Sequence, residues 1–566
     1  MMDTQRLIAL VIFSVSAVLL WDAWQKHNAP VPVPGAQVVP SSVPSAPAIP
    51  NAPSAASANT ASTVPAEGAN VPVSNASVMG TTGTPVSVRT DLFDIELNTM
   101  GGDIRKLTLL KVGSATDRNK ALTLLSTDPQ HFFVTQSGLL GDSLPTHKTI
   151  FTPESTGYVM PANADSLVVR LTARTPEGAE VIKRYTFHRG SYEIDVGYDV
   201  KNASGQAIPA TAYFQFLRDS NPPSQEAAQT SHFGGVSTFL GAGIYTEESK
   251  YVKVDFKDID KDKHPYPAST KDGWIALVQH YFVSAWAPKP GVERDFFTTH
   301  VVGDLYTAGI KVPMGTIAPG ATASVTVPLY IGPQQTDKLR EISPGLDLVV
   351  DYGWLTILAK PIFWLLKWIH SVVQNWGWSI IILTILIKLA FYPLNAKAGR
   401  SMAQMKVLQP KMEKLKQLYG EDRQKLNQAM MELYRTEKIN PLGGCLPIVV
   451  QIPVFIALYW VLLGSIELRH APWVGWIHDL SAPDPFFILP VIYAVSMFAQ
   501  TRLNPQPADP VQAKVMLIMP IMFSIFFLFF PAGLVLYWVV QNLLSIVQQW
   551  HINRTIAAEA KAKARR

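Results

Sequence analysis

The sequence predicts a multi-domain membrane protein: six transmembrane α-helices, five of them forming a core, a large β-sandwich domain outside the membrane, and a cytoplasmic helical hairpin. Three observations predict it. Only 16% of the 566 residues are charged, against about 25% in soluble domains, while 48% are hydrophobic. The apolar residues concentrate at the N-terminus and in the C-terminal part, after about residue 350. Between them, over residues 86–344, apolar side chains recur with period two, the pattern of half-buried strands.

The elements follow in order. Residues 1–28 contain an unbroken apolar run from Leu7 to Trp21, after Arg6, and read as an N-terminal transmembrane anchor. A cleavable signal peptide is the competing reading, against which Trp21-Asp22-Ala23-Trp24 makes a poor cleavage site. Residues 29–85 hold eleven prolines and one charge, Glu67, and read as a disordered, partly extended tether. In the β domain, Phe93, Ile95 and Leu97 alternate with polar residues, as do Tyr192, Ile194, Val196, Tyr198 and Val200. Further strands are expected at 181–187, 213–217 and 323–331, with turns at Gly101-Gly102 and Gly234-Gly235. Residues 345–374 read as an amphipathic helix lying in the lipid headgroup region, with Lys360, Lys367 and His370 on one face and Trp354, Trp364 and Trp368 within it. A helix packed on the β domain is the alternative.

Residues 375–550 form the five-helix core, with spans at 376–392, 442–465, 486–500, 515–530 and 534–550. Pro531-Ala532-Gly533 is too short to cross anything, so the last two spans form a hairpin. Pro447, Pro453, Pro490 and Pro520 bend the spans or leave backbone groups unpaired. Within 395–440, Met402, Met405, Leu408, Met412 and Leu415 form one amphipathic helix, kinked at Pro410. Leu426, Met430 and Leu433 form a second after a break at 419–422. This hairpin has ten basic and five acidic residues; the basic tail, 551–566, has five and one. Positive charge marks cytoplasmic loops, which puts both termini in the cytoplasm and the β domain outside.

No catalytic motif is present: no H-E-x-x-H, G-x-S-x-G or phosphate-binding loop. A single cysteine, Cys445, excludes an internal disulfide and cysteine metal sites, and is expected to be a small packing residue. A net charge of +5 without a basic–aromatic patch argues against a nucleic-acid substrate. No cofactor, metal or catalytic residue is expected. The informative residue is Lys388, the one charged side chain in the five core spans. A charge near the bilayer centre costs about 2.5–3.5 kcal/mol on insertion scales. Lys388 lies close enough to the cytoplasmic end of its span to snorkel out. Alternatively, with Thr384 one turn earlier on the same face, and with Gln451, Gln541 and Asn542 at depth in other spans, it lines a wet cavity for a polar or acidic peptide.

At residues 440–447, Asn-Pro-Leu-Gly-Gly-Cys-Leu-Pro, the sequence resembles the YidC family of bacterial membrane protein insertases. Gly-Leu-Val-Leu-Tyr-Trp at 533–538, Trp-Ile-His-Asp-Leu at 476–480 and Leu-Gln-Pro-Lys at 408–411 carry the same resemblance. It runs through nearly all of 351–549, and the order of anchor, tether and β domain resembles the Gram-negative form. The resemblance implies a non-enzymatic insertase and chaperone of the inner membrane. It implies a hydrophilic groove open to the cytoplasm and to lipid, with Thr384, Gln451 and Trp538 at groove positions. The family usually carries arginine where this chain has Lys388, so the charge is kept and the bidentate fork is lost. Implied partners are nascent membrane proteins, the Sec translocon, the lipid bilayer, and the ribosome through the basic tail and hairpin. The competing readings are a small-solute transporter or channel, which would need intramembrane acids or paired broken helices, and a membrane-anchored periplasmic carbohydrate-active protein.

Overall fold

A computed structural model of the chain describes residues 71–72, 83–114, 117–222, 239–420, 422–437, 446–503 and 510–564. The expected anchor and nearly all of the tether lie outside the described residues, as do Gly234-Gly235 and Cys445. All described residues except 510–512 belong to one unit.

Alternating apolar residues bury one face of each strand, and two such faces must close on each other. Among the described residues, strands from Pro85–Arg89 to Thr322–Pro333 pair into a ten-stranded and a nine-stranded sheet. In the first, Ile208–Asp219 lies between His131–Leu140 and Leu305–Ile317. In the second, Glu193–Asn202 lies between Ala179–His188 and Thr322–Pro333. All these pairings are antiparallel. Val181, Tyr185, Phe187, Ile194, Val196, Tyr198 and Val200 are buried in one core together with Phe93, Ile95 and Leu97.

Period two fails in the middle of the first sheet. Every residue from Tyr213 to Leu217 is buried, because the outer face is covered as well. Phe132, Val134 and Leu217 form a small second cluster there, packed by Val301 and Leu305. Beside it Gln215 Nε2 donates to Gln136 Oε1 at 2.9 Å. The Gly101-Gly102 turn does need glycine. Both residues have positive φ, and a Cβ on Gly101 would lie 2.5 Å from the His147 carbonyl oxygen.

One ion pair is sealed in the interior. Lys183 Nζ donates to Asp103 Oδ1 at 3.0 Å and to the Gly101 carbonyl at 2.8 Å, and both side chains are fully buried. Nearby, His147 is buried against Tyr213. Its backbone N–H donates to the Tyr213 hydroxyl at 3.0 Å, and Nδ1 lies 2.6 Å from the same oxygen. Burial lowers the His147 pKa to about 4.

The helical part comprises α1 (Thr356–Val373), α2 (Trp376–Ala390), α3 (Tyr392–Tyr419), α4 (Arg423–Thr436), α5 (Leu446–Gly464), α6 (Ile488–Leu503), α7 (Pro510–Phe527) and α8 (Ala532–Ala564). Helix α1 packs on α5 and α2 through buried Ala359, Phe363, Leu366 and Ile369. Its other face exposes Ile357, Trp364, Trp368 and Val372, an apolar patch of the kind that meets a membrane or another protein. Among the described residues, α1 alone is both long and apolar enough to cross a bilayer unaided; α2 qualifies only jointly with 392–405, bent from it by 68°.

The hairpin departs from expectation in its first helix. Helix α3 starts at Tyr392, directly after the bend, and runs 28 residues with Pro410 inside it. The amphipathic periodicity from Met402 marked only its second half. Ala398, Gly399 and Ala403 are buried, and a Cβ on Gly399 would lie 2.7 Å from Ile552 Cδ1 of α8. Small residues let these two helices approach closely. Asp422 caps α4 by accepting from Gln424 and Lys425 N–H groups at 3.1 Å. Helix α8 joins the last expected span and most of the basic tail into one 33-residue helix.

The β domain meets the helices through side chains on both sides. His280 Nε2 donates to the Leu463 carbonyl at 2.9 Å, and His470 Nε2 donates to the Ser114 carbonyl at 2.9 Å. Lys367 pairs with Asp337, and Lys253 with Asp351.

Candidate substrate groove

Two helices carry most of the site, and both are fixed at the end nearer the β domain. Asn375 caps α2, its side chain accepting from Trp378 N–H at 3.1 Å. The α8 start is held by the loop before α6: Ala532 N–H donates to the Ala482 carbonyl at 2.8 Å, and Gly533 N–H to that of Leu480 at 2.9 Å. The Trp-Ile-His-Asp-Leu motif at 476–480 builds that loop. Trp476 Nε1 donates to Asp484 Oδ1 at 2.9 Å, and Asp484 also accepts the Phe486 and Leu489 N–H groups at the start of α6.

From these anchors, α2 carries Lys388 alongside α8. Lys388 Nζ donates to Ser545 Oγ at 2.8 Å, and Ser545 Oγ donates its own proton to the Gln541 carbonyl at 2.8 Å. No carboxylate forms an ion pair with Lys388 among the described residues. Thr384 is fully buried, and its hydroxyl donates to the Ile380 carbonyl at 2.6 Å in its own helix. It shares the α2 face with Lys388, yet its proton is spent locally.

The other expected residues lie along neighbouring turns of α8 and on α5. Trp538 packs on Phe455 of α5 with ring centroids 4.7 Å apart, and on Phe527 at 6.0 Å. Gln451, one turn before Phe455, is half-buried. Asn542 is buried and faces α6, its Nδ2 lying 3.4 Å from Ser496 Oγ. The structure thus links Lys388 through Ser545 to the Gln541 backbone carbonyl, sets Trp538 among Phe455, Tyr493 and Phe527, and packs Asn542, one turn further along α8, against Ser496.

Several buried polar atoms of α8 have no hydrogen-bond partner among the described residues: Trp538 Nε1, Gln541 Oε1 and Gln548 Nε2. In a dry apolar core each would cost about 1–3 kcal/mol. Their succession along one helix, beside a lysine, describes a polar strip. Around it the outer faces are apolar and exposed, including Val491 and Val495 of α6, Ile518 and Ile521 of α7, and Val547 of α8. A polar interior inside an apolar exterior suits a protein whose outer solvent is lipid.

Ser545 and Ser496 escaped the sequence reading. A serine one turn after Gln541 was a usable signal, since Gln541, Asn542, Ser545, Gln548 and Gln549 recur on the helical period.

The family model described as the YidC periplasmic domain matches residues 85–365, and that of the 60Kd inner membrane protein matches 368–560. The chain is 51% identical over 560 residues to the membrane protein insertase YidC of Aromatoleum aromaticum, covering 99% of both chains. It is 50% identical over 571 residues to that of Methylobacillus flagellatus, covering 100% of both. A solved structure described as an active YidC insertase with its first transmembrane domain resolved is 17% identical, covers 83% of this chain and 95% of its own, and superposes with a TM-score of 0.39. At about half identity along its whole length, and with both family models matched in order, the chain belongs to the YidC family of membrane protein insertases.

Proposed function

We propose that this protein inserts nascent inner-membrane proteins through the strip formed by α2, α5 and α8. As a member of an insertase family it is not an enzyme. A substrate's short polar tail enters the strip, where Lys388 attracts acidic residues. The orphaned groups of Trp538, Gln541 and Gln548 then supply hydrogen bonds that the bilayer lacks. The substrate's apolar segment slides along the outer faces of α5 and α7 into lipid, gaining about 0.8 kcal/mol per buried CH₂. No nucleotide is needed. The observation that carries this reading is the set of buried, unpartnered polar atoms beside Lys388 in helices that are otherwise apolar.

The topology belongs to the same proposal. Five spans in 375–550 and an anchor in 1–28 make six; both termini, the 395–440 hairpin and the tail 551–566 are cytoplasmic; the β domain is periplasmic. The basic excess of the hairpin and tail supports this orientation, and it offers the ribosome a positively charged docking surface. The Sec translocon is the second proposed partner, for substrates with larger exported parts. The interfacial position of α1 is supported by its exposed Ile357, Trp364, Trp368 and Val372.

The test uses two substrates identical except for the charge of their exported tails, in cells depleted of the native insertase. Lys388→Arg retains insertion, Lys388→Ala weakens it for the acidic tail, and Lys388→Glu is worst because the local field reverses sign. If Lys388→Ala inserts both tails as the parent does, the lysine merely snorkels and its place in the groove is lost.

A further inference from the structure

We infer that Ser545 is the positioning residue for the groove's charge, an inference that rests on the reading of Lys388 above. A lysine one turn from the end of its helix has a flexible four-carbon stem and a solvated interface within reach. Nothing in α2 itself prevents it from leaving the bundle. Among the described residues the one hydrogen-bond partner that Lys388 has is Ser545 Oγ, at 2.8 Å and on the opposite helix.

The serine is itself pre-aimed. Its single proton goes to the Gln541 carbonyl one turn back, at 2.8 Å. That bond fixes the side-chain rotamer and leaves the oxygen lone pairs to accept from the ammonium. The arrangement therefore has one direction: lysine donates to serine, and serine donates to the backbone. A hydroxyl holds the ammonium without neutralising it, as a carboxylate would. Two of the three ammonium protons stay available to an incoming carboxylate. Gln541 Oε1, buried and unpartnered one turn back on α8, gives the entering tail a hydrogen-bond acceptor on the same helix.

The role is thus electrostatic positioning, which separates it from a packing role. A methyl-for-hydroxymethyl change at a half-buried position removes little volume, so a packing role would leave insertion nearly untouched or lower it equally for every substrate. A positioning role acts only where the substrate carries negative charge.

The test measures the ratio of acidic-tail to neutral-tail insertion in the full-length chain, with protein levels in the membrane checked for each variant. Loss of one net hydrogen bond predicts that Ser545→Ala lowers this ratio about threefold to tenfold. Ser545→Thr, which keeps the hydroxyl, restores it. In a Lys388→Ala background, Ser545→Ala has no further effect on the ratio. An unchanged ratio in Ser545→Ala, with Lys388→Ala still selective against acidic tails, overturns the inference and leaves the groove reading standing. An equal loss for both tails also overturns it, because that is the mark of a structural role. If Lys388→Ala changes nothing, the underlying reading fails and the inference falls with it.

Discussion

Removing the Lys183 ammonium should strand a carboxylate inside the β-sandwich, and the size of the effect follows from the geometry. In Lys183→Met the methionine fills much of the same space. Asp103, fully buried, is left with the Ser137 N–H at 3.2 Å as its remaining donor. Its Oδ2 has no partner even in the parent. The cheapest escape for a buried, uncompensated carboxylate is to take up a proton. Broken buried pairs in general cost about 3–5 kcal/mol. For a domain of this size that corresponds to a fall in Tm of roughly 6–20 °C. The proton also sets a signature. Because acid supplies the proton that relieves a stranded carboxylate, the gap between parent and Lys183→Met should narrow as the pH falls toward 5. The paired change Lys183→Met with Asp103→Asn should recover at least half of the loss, since no charge remains buried. Thermal unfolding of the detergent-solubilised protein, read by tryptophan fluorescence between pH 5 and 8, measures all three. A gap that stays constant with pH, or a double variant as unstable as the sum of the single ones, would refute the reasoning.

Further outcomes are expected. His147 has its folded pKa lowered from 6.5 to about 4 by burial, so its contribution to stability is fully present above pH 6.5 and is lost as pH falls from there toward 4. At pH 5 the loss is about 2 kcal/mol; Tm measured against pH should fall across this window in the parent and lose that component of slope in His147→Gln. In a background carrying Cys445→Ser, a cysteine at Glu432 should be labelled only from the cytoplasm and one at Ser191 only from the periplasm. Labelling of both from one side would end the six-span topology. The Lys388 and Ser545 series described above should sort by substrate-tail charge and not by overall activity.

The parts of the fold that the sequence made legible are those set by short-range pattern. Phe93, Ile95 and Leu97, and Ile194 to Val200, alternate because one sheet face meets a core, and they are strands in the structure. The stretch Tyr213–Leu217 is legible as a strand but not as one buried on both faces, since Leu217 is covered by Phe132, Val134, Val301 and Leu305, and Tyr213 by His147, all distant in sequence. Helix α3 was found only in its amphipathic second half. Its first half packs on α8 through small residues, Ala398, Gly399 and Ala403, which carry no apolar period to detect. In α2, Lys388 stands out because a lone charge among apolar residues is conspicuous in one dimension.

By itself, then, the sequence determined the division into apolar helices and a period-two domain, the charge bias of the hairpin and tail, and the isolation of Lys388. Periodicity, composition and charge are properties of neighbours along the chain, so they survive without any fold. Tertiary structure alone decided that Lys388 meets Ser545, 157 positions away, that Thr384 spends its hydroxyl on its own helix, and that Asn542 turns toward Ser496. It also decided that Lys183 and Asp103, separated by 80 positions, share one sealed site. Hydrogen bonds act over about 3 Å, and which side chains come that close is fixed only when whole sheets and helices have packed.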